Sequence, residues 1–328
     1  MRRVLSRLGF YVLALWASVT LNFIIPRLMP GDPVEAYLAK MQGQHVTTQM
    51  IAALRIQFGL SDAPLPVQYV QYLGNLLHGN LGVSVVDSSS VTADLLQRLP
   101  WTLGLVGIAV ILSFVIGTSL GVLTAWKRGT WVDAVIPPAL TFISSVPYFW
   151  MALALIYVFS LMIPIFPLGS GYDYTNYTPD WSPGFILNVL YYGILPAITI
   201  VFGSISGWVL VMRNTMITTL SEDYVLMAQA KGLSQGRVTF GYAARNAILP
   251  SITSFSISLA QIVGGSLLTE MVFNYPGIGY MLYTAVNNLD YSEVEGCFLV
   301  IAIAVLTANL ISDVLYSILD PRVRHGKA

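Results

Sequence analysis

From Trp101 to Ala125 no side chain carries a charge, and nearly every one is apolar. A stretch of that kind has one stable home, a helix crossing a lipid bilayer, because only there are all of its backbone groups paired within the segment. Comparable stretches cover 8–28, 134–163, 184–212, 251–274 and 297–319, so the sequence predicts an all-α integral membrane protein with six transmembrane helices. Composition agrees: 55% of the 328 residues are hydrophobic and 10% charged, against about 25% charged in a soluble domain. The third stretch is overlong and contains Pro147, and the fourth contains Pro196, so kinks or tilts are expected in both.

The formal net charge is +0, so what informs is where the basic residues lie. Twelve of the sixteen Lys and Arg fall on one side of the predicted membrane: Arg2, Arg3, Arg7, Lys127, Arg128, Arg213, Lys231, Arg237, Arg245, Arg322, Arg324 and Lys327. Arg27, Lys40, Arg55 and Arg98 lie in or beside one long segment on the other side, where the charge rule carries little weight. Both termini and the stretch 213–250 are therefore expected in the cytoplasm. The chain divides into an N-terminus with the first helix (1–28), a large helical extracytoplasmic segment (29–100), a five-helix core including 213–250 (101–319), and a cytoplasmic tail (320–328). The first helix resembles a signal peptide, but its apolar stretch from Leu8 to Ile25 exceeds a signal core and no A-x-A-like site follows, so an uncleaved span is expected. Short amphipathic helices are expected between 29 and 100, broken by glycines and prolines.

Features of an enzyme are missing from the sequence. There is no G-x-x-x-x-G-K-[ST] loop to hold ATP, and His45, His78 and His325 have no metal-ligand spacing. "GVSVV" is no nucleophile elbow, and the single cysteine, Cys297, excludes an internal disulfide and suits a small buried hydrophobe. No catalytic, cofactor or metal site is expected, nor a nucleic-acid partner. Ionisable and amide groups inside the spans are Glu270, Asn309 and Asp313; they suit interhelical hydrogen bonding, or a substrate or proton path. Asp133 is expected at the interface, solvated.

The stretch "SEDYVLMAQAKGLSQGRVTFGYAARNAILP", Ser221 to Pro250, stands out as a gapped, basic, glycine-punctuated segment between apolar runs. Its first half predicts a short helix capped near Ser221, with Glu222 and Asp223 in the first turn and Tyr224, Met227, Ala228 and Lys231 on one face. Ala228 and Ala230 would let another surface approach closely. Gly232 permits a sharp turn, and a second helix leads toward Pro250. The pattern suits a pair of helices gripped by a partner, or an amphipathic linker resting on headgroups.

"AQAKGLSQGRVTFGYAARNAILP" resembles the cytoplasmic signature loop of binding-protein-dependent ABC importer permeases, particularly the B-type subunits of dipeptide and oligopeptide importers. The matched positions are Ala228, Ala230, Lys231, Gly232, Leu233, Ser234 and Val238, then Arg245, Asn246, Ala247, Ile248, Leu249 and Pro250. "PGDP", "FGL", "LGVS", "RLPWTL", "SVPYFW", "VFNYPGIG" and "NLISDVLYSILDPRV" extend the resemblance along the whole chain. Departures are Leu226-Met227-Ala228 in place of the EAA triplet, a longer Gly232-to-Pro250 spacing than in the generic importer signature, and Asn80 where an Asp is usual.

The resemblance implies a type I ABC importer permease fold in a bacterial or archaeal inner membrane. It implies a homologous second permease, two cytoplasmic ATPases that bind ATP and magnesium, and an extracytoplasmic solute-binding protein docking on 29–100. Residues 213–250 would be the coupling loop. Peptides are the implied substrate; oligosaccharides, nickel complexes and glutathione are alternatives within the architecture, and a self-sufficient channel or secondary transporter is an alternative of another class. Polar positions at mid-depth, Ser144, Ser145, Tyr148, Ser204, Ser206 and Gln261, are candidates for a lightly charged pathway, or for packing between helices.

Overall fold

A computed structural model describes residues 2–28, 34, 38, 47–57, 63–260 and 267–319. Among them regular structure is helical, apart from one isolated bridge between Val83 and Ser90. The helices are α1 (Arg2–Leu28), α2 (Thr48–Gln57), α3 (Leu65–Leu77), α4 (Val91–Trp126), α5 (Trp131–Ser144), α6 (Tyr148–Ile156, continued as a π turn to Met162) and α7 (Pro183–Leu220). Then follow α8 (Asp223–Ala230), a π turn (Arg237–Ala243), α9 (Ala244–Ala247), α10 (Leu249–Ala260), α11 (Leu267–Val272), α12 (Ile278–Asn287) and α13 (Tyr291–Leu319).

Four described helices are long and apolar enough to cross a membrane: Gly9–Leu28, Val91–Trp126, Pro183–Leu220 and Tyr291–Ile311. A fifth span arises if α5 and α6, bent by 95° at their junction, count together. The bend sits at Pro147, whose ring lacks an N–H and holds the chain extended at the start of α6. Pro196, by contrast, lies inside an unbroken α7. The expected span 251–274 covers α10 and α11 together with residues 261–266, which lie outside the described residues. Three helices reach further than their apolar cores: α4 begins at Val91, α7 continues to Leu220, and α13 starts at Tyr291 rather than near 297.

The chain divides into two compact units, Met1–Thr102 with Val263–Met271 and Tyr275–Leu306, and Leu103–Ile262 with Val272–Asn274 and Thr307–Ala328. The core of the first unit joins Val91 and Leu95 of α4, Ile278, Met281, Leu282 and Ala285 of α12, and Val294 and Cys297 of α13. The start of α13 is fixed by Asp290, a fully buried carboxylate that accepts the Glu293 N–H at 3.1 Å as a helix cap. Its other oxygen accepts from Ser84 Oγ at 2.7 Å and the Val85 N–H at 2.6 Å, tying the loop before α4 to the same point. Burial pushes the Asp290 carboxyl up from its ordinary range, and these donors pull against the shift. Nearby, Arg27 of α1 pairs with Glu295 of α13 at 2.5 Å and lies over the Phe23 ring at 3.7 Å.

In the second unit α4 packs against α7 through two glycines one turn apart. A Cβ at Gly117 would sit 2.5 Å from Trp208 Cβ, and one at Gly121 would sit 2.7 Å from Met212 Cβ. Small residues four apart let two helices approach closely in lipid, where packing rather than water drives association. Phe114 meets Trp208 edge-on at 5.3 Å, and the Ser113 and Ser204 hydroxyls bond at 2.8 Å. Gly121→Leu is therefore expected to force the helices apart at a cost of at least about 1–3 kcal/mol, read as a lower melting temperature of the purified protein. Gly107→Leu, where a Cβ meets nothing within 4 Å, is the matched control and should melt within a degree or two of wild type.

Candidate functional site

The segment between α7 and α10 is built outward from an apolar cluster. Val225 and Ala228 of α8 are buried against Val122, Ala125, Met212, Met216, Val238, Ala243 and Ala247, with Leu233 packed on the margin. α8 is preceded by Glu222, whose backbone is extended and whose side chain makes no cap; Ser221 donates back to the Thr218 carbonyl at 2.7 Å. Asp223 occupies the first turn, where the helix dipole favours an acid.

The turn after α8 is a Schellman motif. Gly232 has φ +76°, its N–H donates to the Gln229 carbonyl at 2.9 Å, and the Leu233 N–H reaches back to the Ala228 carbonyl at 3.4 Å. Leu233 then folds onto the cluster, the hydrophobic contact that usually accompanies this turn. The chain continues through the π turn and α9, and Asn246 Nδ2 donates to the Tyr224 hydroxyl at 2.8 Å, joining the two halves.

Burial corrects the expectation for Ala228. Ala228 does not share an exposed face with Tyr224, Met227 and Lys231, nor form an open small-residue pair with Ala230: it points into the cluster, while Ala230 is exposed. What the segment presents is larger. Tyr224, Leu226, Met227 (60% exposed), Phe240 and Tyr242 are open, amid Glu222, Asp223, Lys231, Ser234, Arg237, Arg245, Asn246 and Pro250, all exposed. The segment thus exposes large apolar side chains among charged residues of both signs.

The polar candidates separate into two groups. Ser144 Oγ donates to the Phe202 carbonyl at 2.6 Å, Ser204 bonds Ser113, and Ser206 is buried with its hydroxyl 3.0 Å from that of Thr141. These three join neighbouring helices. Ser145 and Tyr148 are exposed at the α5–α6 bend; Ser145 donates to the Thr141 carbonyl, and Tyr148 lies so close over Gly203 that a Cβ there would collide with its ring. Gln261 lies outside the described residues, as does the Asp313 side chain; Asn309 is half-buried on α13.

Glu270 is fully buried and satisfied. One oxygen accepts from Thr102 Oγ1 at 2.9 Å; the other accepts the N–H groups of Gly279 and Tyr280 at 2.7 and 3.2 Å. Thr102 Oγ1 in turn accepts the Ile278 N–H at 2.8 Å. The first turn of α12 thus has its unpaired amides filled from α4 and α11, and the carboxylate lies at the positive end of the helix. "YPGIG" is glycine-rich for this reason: a Cβ at Gly277 or Gly279 would run into the Glu270 carboxylate.

Asp133 is not the freely solvated interfacial acid expected. Arg213 of α7 donates to both of its oxygens, Nε at 2.6 Å and Nη2 at 3.0 Å, and the Gly129 N–H adds a third bond at 3.2 Å. A planar, bidentate Arg–carboxylate pair is the strong form of such a contact. The residues are 80 positions apart, so no local pattern betrays the pair; the only hint is one basic and one acidic residue near the same predicted membrane face.

Residues 117–325 match the family of binding-protein-dependent transport system inner membrane components. The chain is 36% identical, over 99% of both chains, to the di/tripeptide transport system permease protein DppB of Pseudomonas aeruginosa. It is 37% identical to a probable peptide ABC transporter permease protein of Sinorhizobium fredii, over 92% of this chain and 93% of that one. With the oligopeptide transport system permease protein AppB of Bacillus subtilis it shares 33% identity, over 93% of each chain. The chain belongs to this family of inner membrane transport components.

Proposed function

We propose that the chain is one of two homologous permease subunits of an ATP-driven importer of short peptides. The observation that carries this reading is similarity along the whole chain to permeases named for di/tripeptide and oligopeptide transport. In this reading residues 251–274 complete a sixth span, both termini lie in the cytoplasm, and residues 29–100 face outward to receive a loaded solute-binding protein. The open patch around Tyr224, Met227 and Phe240 docks on one of two cytoplasmic ATPases, which hold ATP and magnesium. Closure of the ATPase pair then favours one arrangement of the spans over another, and that differential stabilisation is what drives alternating access.

A tagged chain is expected to leave the membrane in mild detergent with the second permease and both ATPases. In proteoliposomes, uptake of a labelled dipeptide should require the binding protein and ATP, and unlabelled oligosaccharide should not compete. Purification of the chain alone, or dipeptide uptake without ATP, would overturn the reading.

A further inference from the structure

Asp133 and Arg213 stand at the edge of an open groove of about 540 Å3 between α5 and α7, lined also by Pro137, Pro138, Phe142 and Ser145. Arg213 uses Nε and one Nη2 hydrogen on Asp133. Its other edge, Nη1 with the second Nη2 hydrogen, makes only a 3.5 Å contact with the adjacent Asn214 side chain. A guanidinium has five donors, so that edge can still receive an acid without disturbing the pair.

The other half of the groove has the opposite character. Pro137 and Pro138 put rings rather than hydrogen-bond donors on the groove wall. The Asp133 carboxylate lines the same groove, and its Oδ1 accepts one bond, from Arg213 Nε. A carboxylate oxygen with room for a second donor suits an ammonium group. Phe142, 78% exposed, supplies an apolar wall. The groove therefore offers an acid-binding edge, an ammonium-binding corner and an apolar surface within a single contact between two helices.

We propose that this groove is a stopping place for a short peptide with free termini, its carboxylate on the open edge of Arg213 and its ammonium against the Asp133 carboxylate. The proposal rests on the peptide-importer reading and adds the recognition of both termini within the permease itself. Because the Asp133–Arg213 pair stays made, the peptide adds contacts at a half-solvated site and binds weakly, as release requires. A phosphatidylethanolamine headgroup carries the same two charges, so lipid composition is part of the test.

The test uses the assembled importer in nanodiscs of phosphatidylcholine and phosphatidylglycerol, with Ser145→Cys as a reporter in the groove; Cys297 is buried and gives the baseline. Dialanine at ten times its half-protecting concentration should slow alkylation by a charged thiol reagent about tenfold, while N-acetyl-dialanine amide should not. Protection should vanish with Arg213→Gln or Asp133→Asn and partly survive Arg213→Lys, which a collapsed fold would not allow. Equal protection by the capped peptide, or none by dialanine while the wild-type importer still takes it up with ATP, would overturn the site and leave the transport function standing. Protection on adding phosphatidylethanolamine, with no further effect of dialanine, would overturn it in favour of a lipid seat. Failure of wild-type uptake would instead count against the importer reading.

Discussion

Glu270→Ala is expected to cost about 3–5 kcal/mol of stability, the range for removing one partner from a buried charged network. The cost follows from what is left behind: the Gly279 and Tyr280 amides and the Thr102 hydroxyl would lose their acceptor inside a packed core. Glu270→Gln keeps an acceptor oxygen at the helix start and should lose less, and Thr102→Val, which strips the Ile278 amide of its acceptor, should fall between that and wild type. Thermal melting of the detergent-solubilised protein separates these variants. A Glu270→Ala melting temperature indistinguishable from wild type would show that α12 holds its first turn by other means.

Gly232→Val is expected to abolish most uptake while the ATPases continue to hydrolyse ATP. A side chain at this position meets nothing within 4 Å, so crowding is not the cause. The obstacle is the backbone: φ +76° costs an ordinary residue about 1–2 kcal/mol, and a β-branched side chain tolerates it worst. The Schellman turn would reshape, and the segment leading to Arg245 would leave α8 in a new direction. Gly232→Asn, which accepts the left-handed conformation more readily, should retain much of the uptake. Uptake and ATP hydrolysis measured on the same proteoliposomes give the answer; normal uptake by a stably expressed Val variant would remove this turn from the coupling route.

α1, the bulk of α4 and α7 were legible because their windows are apolar throughout, and an apolar helix needs no partner to be recognised. The ends of the helices were not. Asp94 and Arg98 look like loop residues, yet lie within α4; Glu293 and Glu295 look equally out of place, yet lie in the first turns of α13. Asp290 could have been suspected, since an acid followed three residues later by Glu before an apolar run is a start signal. Gly232 was legible because a left-handed turn has a local cause. Ala228 was misread because helical spacing says which residues share a face without saying which face is covered, and that depends on Val122, Met212 and Met216 from distant elements. Glu270 stands out as a charge in a costly place and Asp133 reads as a solvated interfacial acid; their partners, Thr102 and Arg213, are supplied by folding alone.

At 38 residues α7 is about 57 Å long, while a bilayer's hydrocarbon layer is about 30 Å thick. The helix is thus nearly twice as long as the layer it crosses, and Pro196 removes one bond of its ladder without ending it. The first eight residues assigned to the basic loop, 213–220, are its last two turns, and α8 follows after only Ser221 and Glu222. Anything that grips α8 therefore takes hold of a lever whose other arm lies in the membrane. A swing of about 10° about the midpoint of such a rod displaces each end by roughly 5 Å, in opposite directions. A push from below need not be relayed through a chain of side chains; it can arrive at the far side of the bilayer as the motion of one rigid rod.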